Sequence, residues 1–417
     1  MLWQPELPEK YRRMSEGDLA TEIDARRKEL GSKLLILGHH YQQDAVICHA
    51  DLVGDSLKLS QMAAAEAPKR GAKWIVFCGV HFMAETADIL TEESVEVILP
   101  DLGAGCSMAD MAAYEDTVQA WKEITEAIRD PEAPRGASAP RIIPITYVNS
   151  SAAIKAFVGE HGGACCTSSN AHLVFDWALR GGDEPLAKGE SVKILFLPDQ
   201  HLGRNTAKSK GMVTEFDATA KHPAEMALWD PKRELGGLDR ETVRRAKVLL
   251  WAGHCSVHKL FRSEHVRAAK TEGRTVLVHP ECSQQVVDGS DLRGSTEFII
   301  QTINAAPAGS RWAVGTEIHL VNRLARSAAE RGVDVQILSD CQCLCTTMYR
   351  IDQQHLLWVL DQLAAGRVVN RVKVHPECRR LARLALDRML RNVASATGAS
   401  ASGPKGGTRQ KLPTTVD

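Results

Sequence analysis

Cys106 lies in LGAGCSMADM, Cys255 in WAGHCSVH, and Cys341, Cys343 and Cys345 crowd into DCQCLCTTM. Thiolates are soft ligands for zinc, copper or iron-sulfur clusters, and they also act as nucleophiles and redox groups. A lone buried cysteine usually needs no ligand, but three thiols this close are hard to explain as core packing. No second CxxC and no histidine pair accompanies them, so the spacing does not describe a zinc site. There are 11 cysteines in all, and the opening MLWQPELPEKYRRM lacks the apolar stretch of a secretory signal. Disulfides are a poor account of thiols in such a chain, because the cytosol keeps them reduced. Metal binding or redox chemistry is the leading account, in a protein expected to be cytoplasmic.

The elements that must position such residues come from a chain of 417 residues, 44% hydrophobic and 25% charged. That is enough to bury a large core spread over several units. The 51 basic residues balance 52 acidic ones, which leaves no electrostatic footprint of a nucleic-acid or polybasic membrane binder. No apolar run approaches the roughly 20 residues of a bilayer-spanning helix. Small molecules are the expected partners, with no nucleic acid and no membrane.

Short Val-, Ile- and Leu-rich runs bounded by polar clusters read as strands buried on both faces of a parallel sheet. They fall into three groups: 34–37, 74–78 and 95–99; 142–148, 164–167 and 192–197; 248–251, 275–278 and 312–314. Helical patterns over 56–65, 151–158, 171–179 and 318–329 complete a βαβ rhythm. The predicted fold is α/β, built as three similar small parallel-sheet units over 30–114, 141–205 and 245–330. A C-terminal segment over 331–390 carries the close group Cys341, Cys343 and Cys345, and a small, polar and basic tail over 396–417 reads as disordered. The stretch 130–140 reads as an exposed loop, and 207–240 as a surface excursion with helical potential over 223–228 and no strand. No Walker-type loop and no GxGxxG after a strand is present, so no nucleotide cofactor is indicated.

Each predicted strand ends in a polar cluster, among them GHHYQ, YVNSS, CTSSNA, PDQHLG, HPEC and GTEIH. Open parallel sheets bind ligands beyond the carboxyl ends of their strands, so these ends point to one shared central site. Strand ends also meet loops and are polar for that reason alone.

The blocks GHHYQ (38–42), GDSLKLS (54–60), FCGVHFMAET (77–86), LPDLGAGCSMADM (99–111), YVNSSAAIKA (147–156), CTSSNA (166–171), PDQHLG (198–203), WAGHCSVH (251–258), HPEC (279–282) and GST (294–296) occur in one order. In this the chain resembles the quinolinate synthase family over roughly residues 30–375. The resemblance implies three α/β units related by pseudo-threefold symmetry around a 4Fe-4S cluster with one open iron. It implies cluster ligands Cys106, Cys255 and Cys345, the last through Cys-x-x-Met, with Thr346 where many members have proline. Cys282 in HPEC is left as a neighbour. The implied reaction joins iminoaspartate (iminosuccinate) to dihydroxyacetone phosphate in the de novo synthesis of pyridine nucleotides. Functional coupling to an aspartate-oxidising enzyme is a further implication, while the supplier of the imino substrate is left open.

Within that resemblance Tyr41, Glu281 and His258 are the acid-base candidates, since a strand-end carboxylate or imidazole can take and return protons. A tyrosine can do so if its pKa is lowered. His39 and His279 are placed to bond ligand oxygens, and Tyr147 and Asn149 match the family's substrate-binding pair, with Met83 and His81 on the wall. Ser56, Ser168 and the pair Ser295 and Thr296 stand at or near predicted helix starts, one set per unit. Helix N-termini suit carboxylates and phosphates, although Ser and Thr also cap helices with no ligand. An aconitase-like hydro-lyase is the alternative enzyme, and an iron-sulfur redox protein the non-enzymatic one. The order of YVN, CTSSNA and HPEC argues against the first, and the many polar strand ends against the second.

Overall fold

Apolar runs that alternate with helices bury both faces when they pair as parallel strands with helices packed on either side. The computed structural model, which describes residues 4–129, 139–217, 220–339 and 343–397, contains three such sheets. In the first, Leu52–Gly54, Leu34–His39, Trp74–Cys78 and Glu96–Ile98 lie side by side and parallel, and the short Arg371–Val372 closes the far edge antiparallel. The second runs Ala164–Cys166, Arg141–Tyr147, Val192–Leu197, Val248–Trp251 and Met226–Trp229, all parallel. The third runs Leu292–Arg293, Thr275–Val278, Arg311–Gly315 and Asp334–Ile337, again parallel. In all three the second strand in chain order flanks the first, and the third lies on the other side. Such an order places a switch point between the first and third strands, where ligands collect in open sheets.

Two expectations are corrected here. Val248–Trp251 belongs to the second sheet, where Val248 to Leu250 stand in register with Ile194 to Phe196, and not to the third. The stretch over 223–228, expected to be helical, holds the start of the strand Met226–Trp229. Its run is too short for periodicity to tell strand from helix, and pairing with Val248–Trp251 decides it. The segment after 330 also supplies the fourth strand of the third sheet. Cys341, the greater part of the 130–140 loop and the tail from 398 lie outside the described residues, while helix Pro376–Thr397 runs two residues into the expected tail.

The C-terminal segment straps the units together. Helix Gln353–Ala364 packs on Glu16–Leu30 beside the first sheet, Arg371–Val372 joins that sheet, and Pro376–Thr397 crosses Ala152–Glu160 of the second unit. Gly159 makes the last crossing possible, because a Cβ there would collide with the Leu381 carbonyl. Among the described residues no helix is long and apolar enough to cross a membrane.

Candidate active site

The common strand order delivers the same kinds of side chain to one place from each sheet. Pairs two residues apart leave the end of each first strand: His39 and Tyr41, Tyr147 and Asn149, His279 and Glu281. Ser56, Ser168 and Thr296 follow each second strand. With Val248–Trp251 in the second sheet, Cys106, Cys255 and Cys345 each follow the final parallel strand that its own sheet receives. All twelve of these residues, together with His258 and Met83, line one cavity. Ser295 does not line it. Its hydroxyl caps helix Thr296–Asn304 by accepting from Phe298 N at 3.3 Å. His81 lines a different depression, with Glu85 and Asp110.

Buried polar groups need partners, and here they satisfy one another in a chain. The Tyr147 hydroxyl donates to Glu281. His258 Nδ1–H donates to Glu281 Oε2 at 2.9 Å, and its Nε2 lies 3.2 Å from Thr316 Oγ1. Thr316 Oγ1 in turn lies 2.9 Å from the Tyr41 hydroxyl, which reaches Thr296 Oγ1 at 3.2 Å. Thr316 is the residue that sequence reasoning passed over. It stands in GTEIH, one of the polar strand ends, yet nothing in its spacing sets it apart from an ordinary loop threonine.

Burial opposes charge on Glu281, but His258 beside it and hydrogen bonds from His258 and Tyr147 outweigh that, so its carboxylate stays ionised well below the usual range. Burial pushes His279 down to about 3, and it lowers His39 as well, so both imidazoles are neutral acceptors or donors. Tyr41 shifts opposite to the direction a basic phenolate requires: burial first, then the Glu281 charge, raise its pKa. It is a neutral hydroxyl that donates.

Two donor sets for a metal share this cavity. The thiol of Cys255, an imidazole nitrogen of His258 and a carboxylate oxygen of Glu281 lie within 4.8 Å of one another. The other set is the three cysteines. Burial raises all three thiols, Cys106 to about 12. Yet each sulfur is met by backbone N–H groups two or three residues ahead: Met108 and Ala109 for Cys106, His258 for Cys255, Thr347 and Met348 for Cys345. Donors aimed at sulfur stabilise the thiolate form, and a bound cation completes the deprotonation. Three such thiols in one cavity therefore fit a soft metal centre. Cys343 is turned away into the apolar core under the third sheet, in the cluster that also holds Cys282.

Other polar groups wait for partners in the same place. The Asn149 Oδ1 is buried and meets no hydrogen-bond donor among the described residues. Asp55, not Ser56, caps helix Ser56–Arg70 through Lys58 N at 2.9 Å, which leaves the Ser56 hydroxyl at the cavity, 3.5 Å from His39 Nε2.

The family model described as quinolinate synthetase A protein matches residues 21–391. The quinolinate synthase of Acidobacterium capsulatum is 50% identical over 91% of this chain and 94% of its own length. That of Rhodopirellula baltica is 48% identical over 91% and 92%, and that of Bacillus subtilis 47% identical over 92% and 96%.

Proposed function

The chain belongs to the quinolinate synthase family, and from that premise we propose that it condenses iminoaspartate with dihydroxyacetone phosphate to quinolinate, releasing one phosphate and two waters. Quinolinate, phosphate and two waters together account for every carbon, nitrogen, hydrogen and oxygen atom of the two substrates, so the reaction needs no external oxidant. The three units lie about a pseudo-threefold axis in this reading, with the reaction at their common centre.

Cys106, Cys255 and Cys345 would hold a 4Fe-4S cluster. Bound through three thiolates, it supplies a Lewis-acidic iron that no cysteine ligates, which favours loss of hydroxyl groups. The chain's own groups do the rest. Glu281, ionised and oriented by His258 and Tyr147, accepts a proton from carbon and returns it to a departing hydroxyl. Tyr41, protonated, donates a hydrogen bond toward substrate oxygen, and Thr316 holds its hydroxyl in place. Asn149 supplies the buried Oδ1 to an N–H or O–H of substrate. Ser56, Ser168 and Thr296 bind the carboxylates and the phosphate. Functional coupling to an aspartate-oxidising enzyme belongs to the same reading.

One observation carries this reading: three cysteines from distant parts of the chain line the same cavity as the Glu281–His258 pair. The second reading is a single ion on Cys255, His258 and Glu281, favoured by their closeness. His258 and Glu281 already satisfy each other, however, without an ion. Anaerobic purification with iron and sulfide analysis separates the two, alongside quinolinate formation from freshly generated iminoaspartate. About four irons and four sulfides per chain are expected. One metal and no sulfide, or no quinolinate, would overturn the proposal.

A further inference from the structure

Helix Gln200–Ser209 contributes nothing to the cavity wall, yet it holds two segments that do. Asn205, 6% exposed, sends both hydrogens of its amide to backbone carbonyls, Pro280 O at 2.9 Å and Cys282 O at 2.9 Å. Those carbonyls stand on either side of Glu281. At the other end of the helix the capping Asp199 accepts from Leu202 N at 2.7 Å. Gln200 N bonds Gly253 O at 3.0 Å. One helix therefore grips the turn that carries Glu281 and the segment that carries Cys255.

The residue type follows from the geometry. Two carbonyls a turn apart need two donors on one short side chain with no charge to bury, and the amide of asparagine is the group that offers this. Serine has one donor, leucine none, and glutamine is a methylene too long. The Asn205 Oδ1, buried with no partner among the described residues, is the cost of that choice.

We propose that Asn205 is the positioning residue of Glu281, clamping the peptide units on both sides of it so that its carboxylate meets His258 and Tyr147 in one orientation. This rests on Glu281 being the group that moves the proton. A carboxylate displaced by about 1 Å from its working geometry loses rate on the order of 10²-fold without losing substrate affinity.

The test uses the cluster-loaded enzyme and the variants Asn205→Leu and Asn205→Ser. Asn205→Leu should lower kcat per cluster by tenfold or more with KM within about twofold. Asn205→Ser, which keeps one donor, should fall between it and the wild type, and it carries the test if Asn205→Leu does not fold. Hydrogen exchange followed by mass spectrometry should show faster exchange in the peptide spanning residues 279–283 and an unchanged rate elsewhere. Unaltered kcat per cluster in the variants would overturn the clamp. So would a loss of rate accompanied by faster exchange throughout the chain, which would make Asn205 a general stability residue. The exchange measurement needs no turnover, so a wild-type protein that makes no quinolinate would defeat the proposed function while the clamp is still judged.

Discussion

The Tyr41 hydroxyl lies 2.9 Å from Thr316 Oγ1, and the same oxygen stands 3.2 Å from His258 Nε2. A phenol from the end of one sheet and an imidazole from the end of another are thereby joined through a single, fully buried hydroxyl. Thr316→Val keeps the shape and removes the link. It leaves a buried imidazole nitrogen without its partner, at a cost of about 1–3 kcal/mol in denaturant unfolding. Turnover per cluster should fall by at least about tenfold, since a positioned proton donor typically contributes 10²- to 10⁴-fold. Thr316→Ser should recover most of both losses. Equal damage from the two substitutions would show that the methyl group matters and the hydroxyl does not.

Cysteine replacements divide along the cavity wall. Cys106→Ser, Cys255→Ser and Cys345→Ser should each lose most iron and sulfide together with turnover, because a hydroxyl replaces a soft thiolate poorly. Cys282→Ser and Cys378→Ser should retain their full content, since Cys282 packs in the core and neither lines the cavity. Full iron in the Cys345 variant would move the third ligand elsewhere in DCQCLCTTM.

Much of this was legible before any coordinates. The runs at 34–37, 74–78 and 275–278 are strands because they are short, branched and apolar throughout, and the polar ends behind them do converge on a cavity. Two things were not legible. Val248–Trp251 carries no mark of which sheet it enters; register with Val192–Leu197 settles that, and it is what assigns one of the three cavity cysteines to each sheet. Thr316 and Asn205 act through geometry alone, one hydroxyl between two rings and one amide between two carbonyls. Neither residue type nor spacing announces such a role.

Acid should weaken the fold through histidines buried neutral. Burial, with the Arg323 charge adding to it, lowers His40 to about 4, and burial with the Arg204 charge adding to it lowers His201 to about 4. A base whose folded pKa is depressed stays neutral in the fold while the unfolded chain takes up protons near pH 6.5. The contribution of these two groups should therefore be lost as pH drops from about 6.5 toward 4 and change no further below, where both states are protonated. The loss is on the order of a few kcal/mol for the two groups together. Urea unfolding at pH 7 and pH 5 measures it, and the double variant His40→Gln, His201→Gln should show a smaller difference between the two. An unchanged difference would assign the acid sensitivity to other groups.

The hydroxyls at the helix starts separate into two jobs that one experiment distinguishes. Ser295 is spent on Phe298 N, so Ser295→Ala should cost about 1 kcal/mol of stability, as the loss of a cap does, with little effect on KM. Ser56 is relieved of capping by Asp55, Ser168 stands ahead of a helix that begins at Ala171, and Thr296 is the residue after its cap. All three line the cavity. In the proposed reaction the substrates bring two carboxylates and one phosphate, and the chain's balanced charge supplies no general attraction. Each hydroxyl then contributes a charge-assisted bond worth about 1.5–3 kcal/mol. Ser56→Ala, Ser168→Ala and Thr296→Ala should accordingly raise KM by roughly tenfold or more with Tm nearly unchanged and the iron content intact. If all three instead lost stability and kept the wild-type KM, the hydroxyls would be part of the helix ends and the anions would be bound elsewhere.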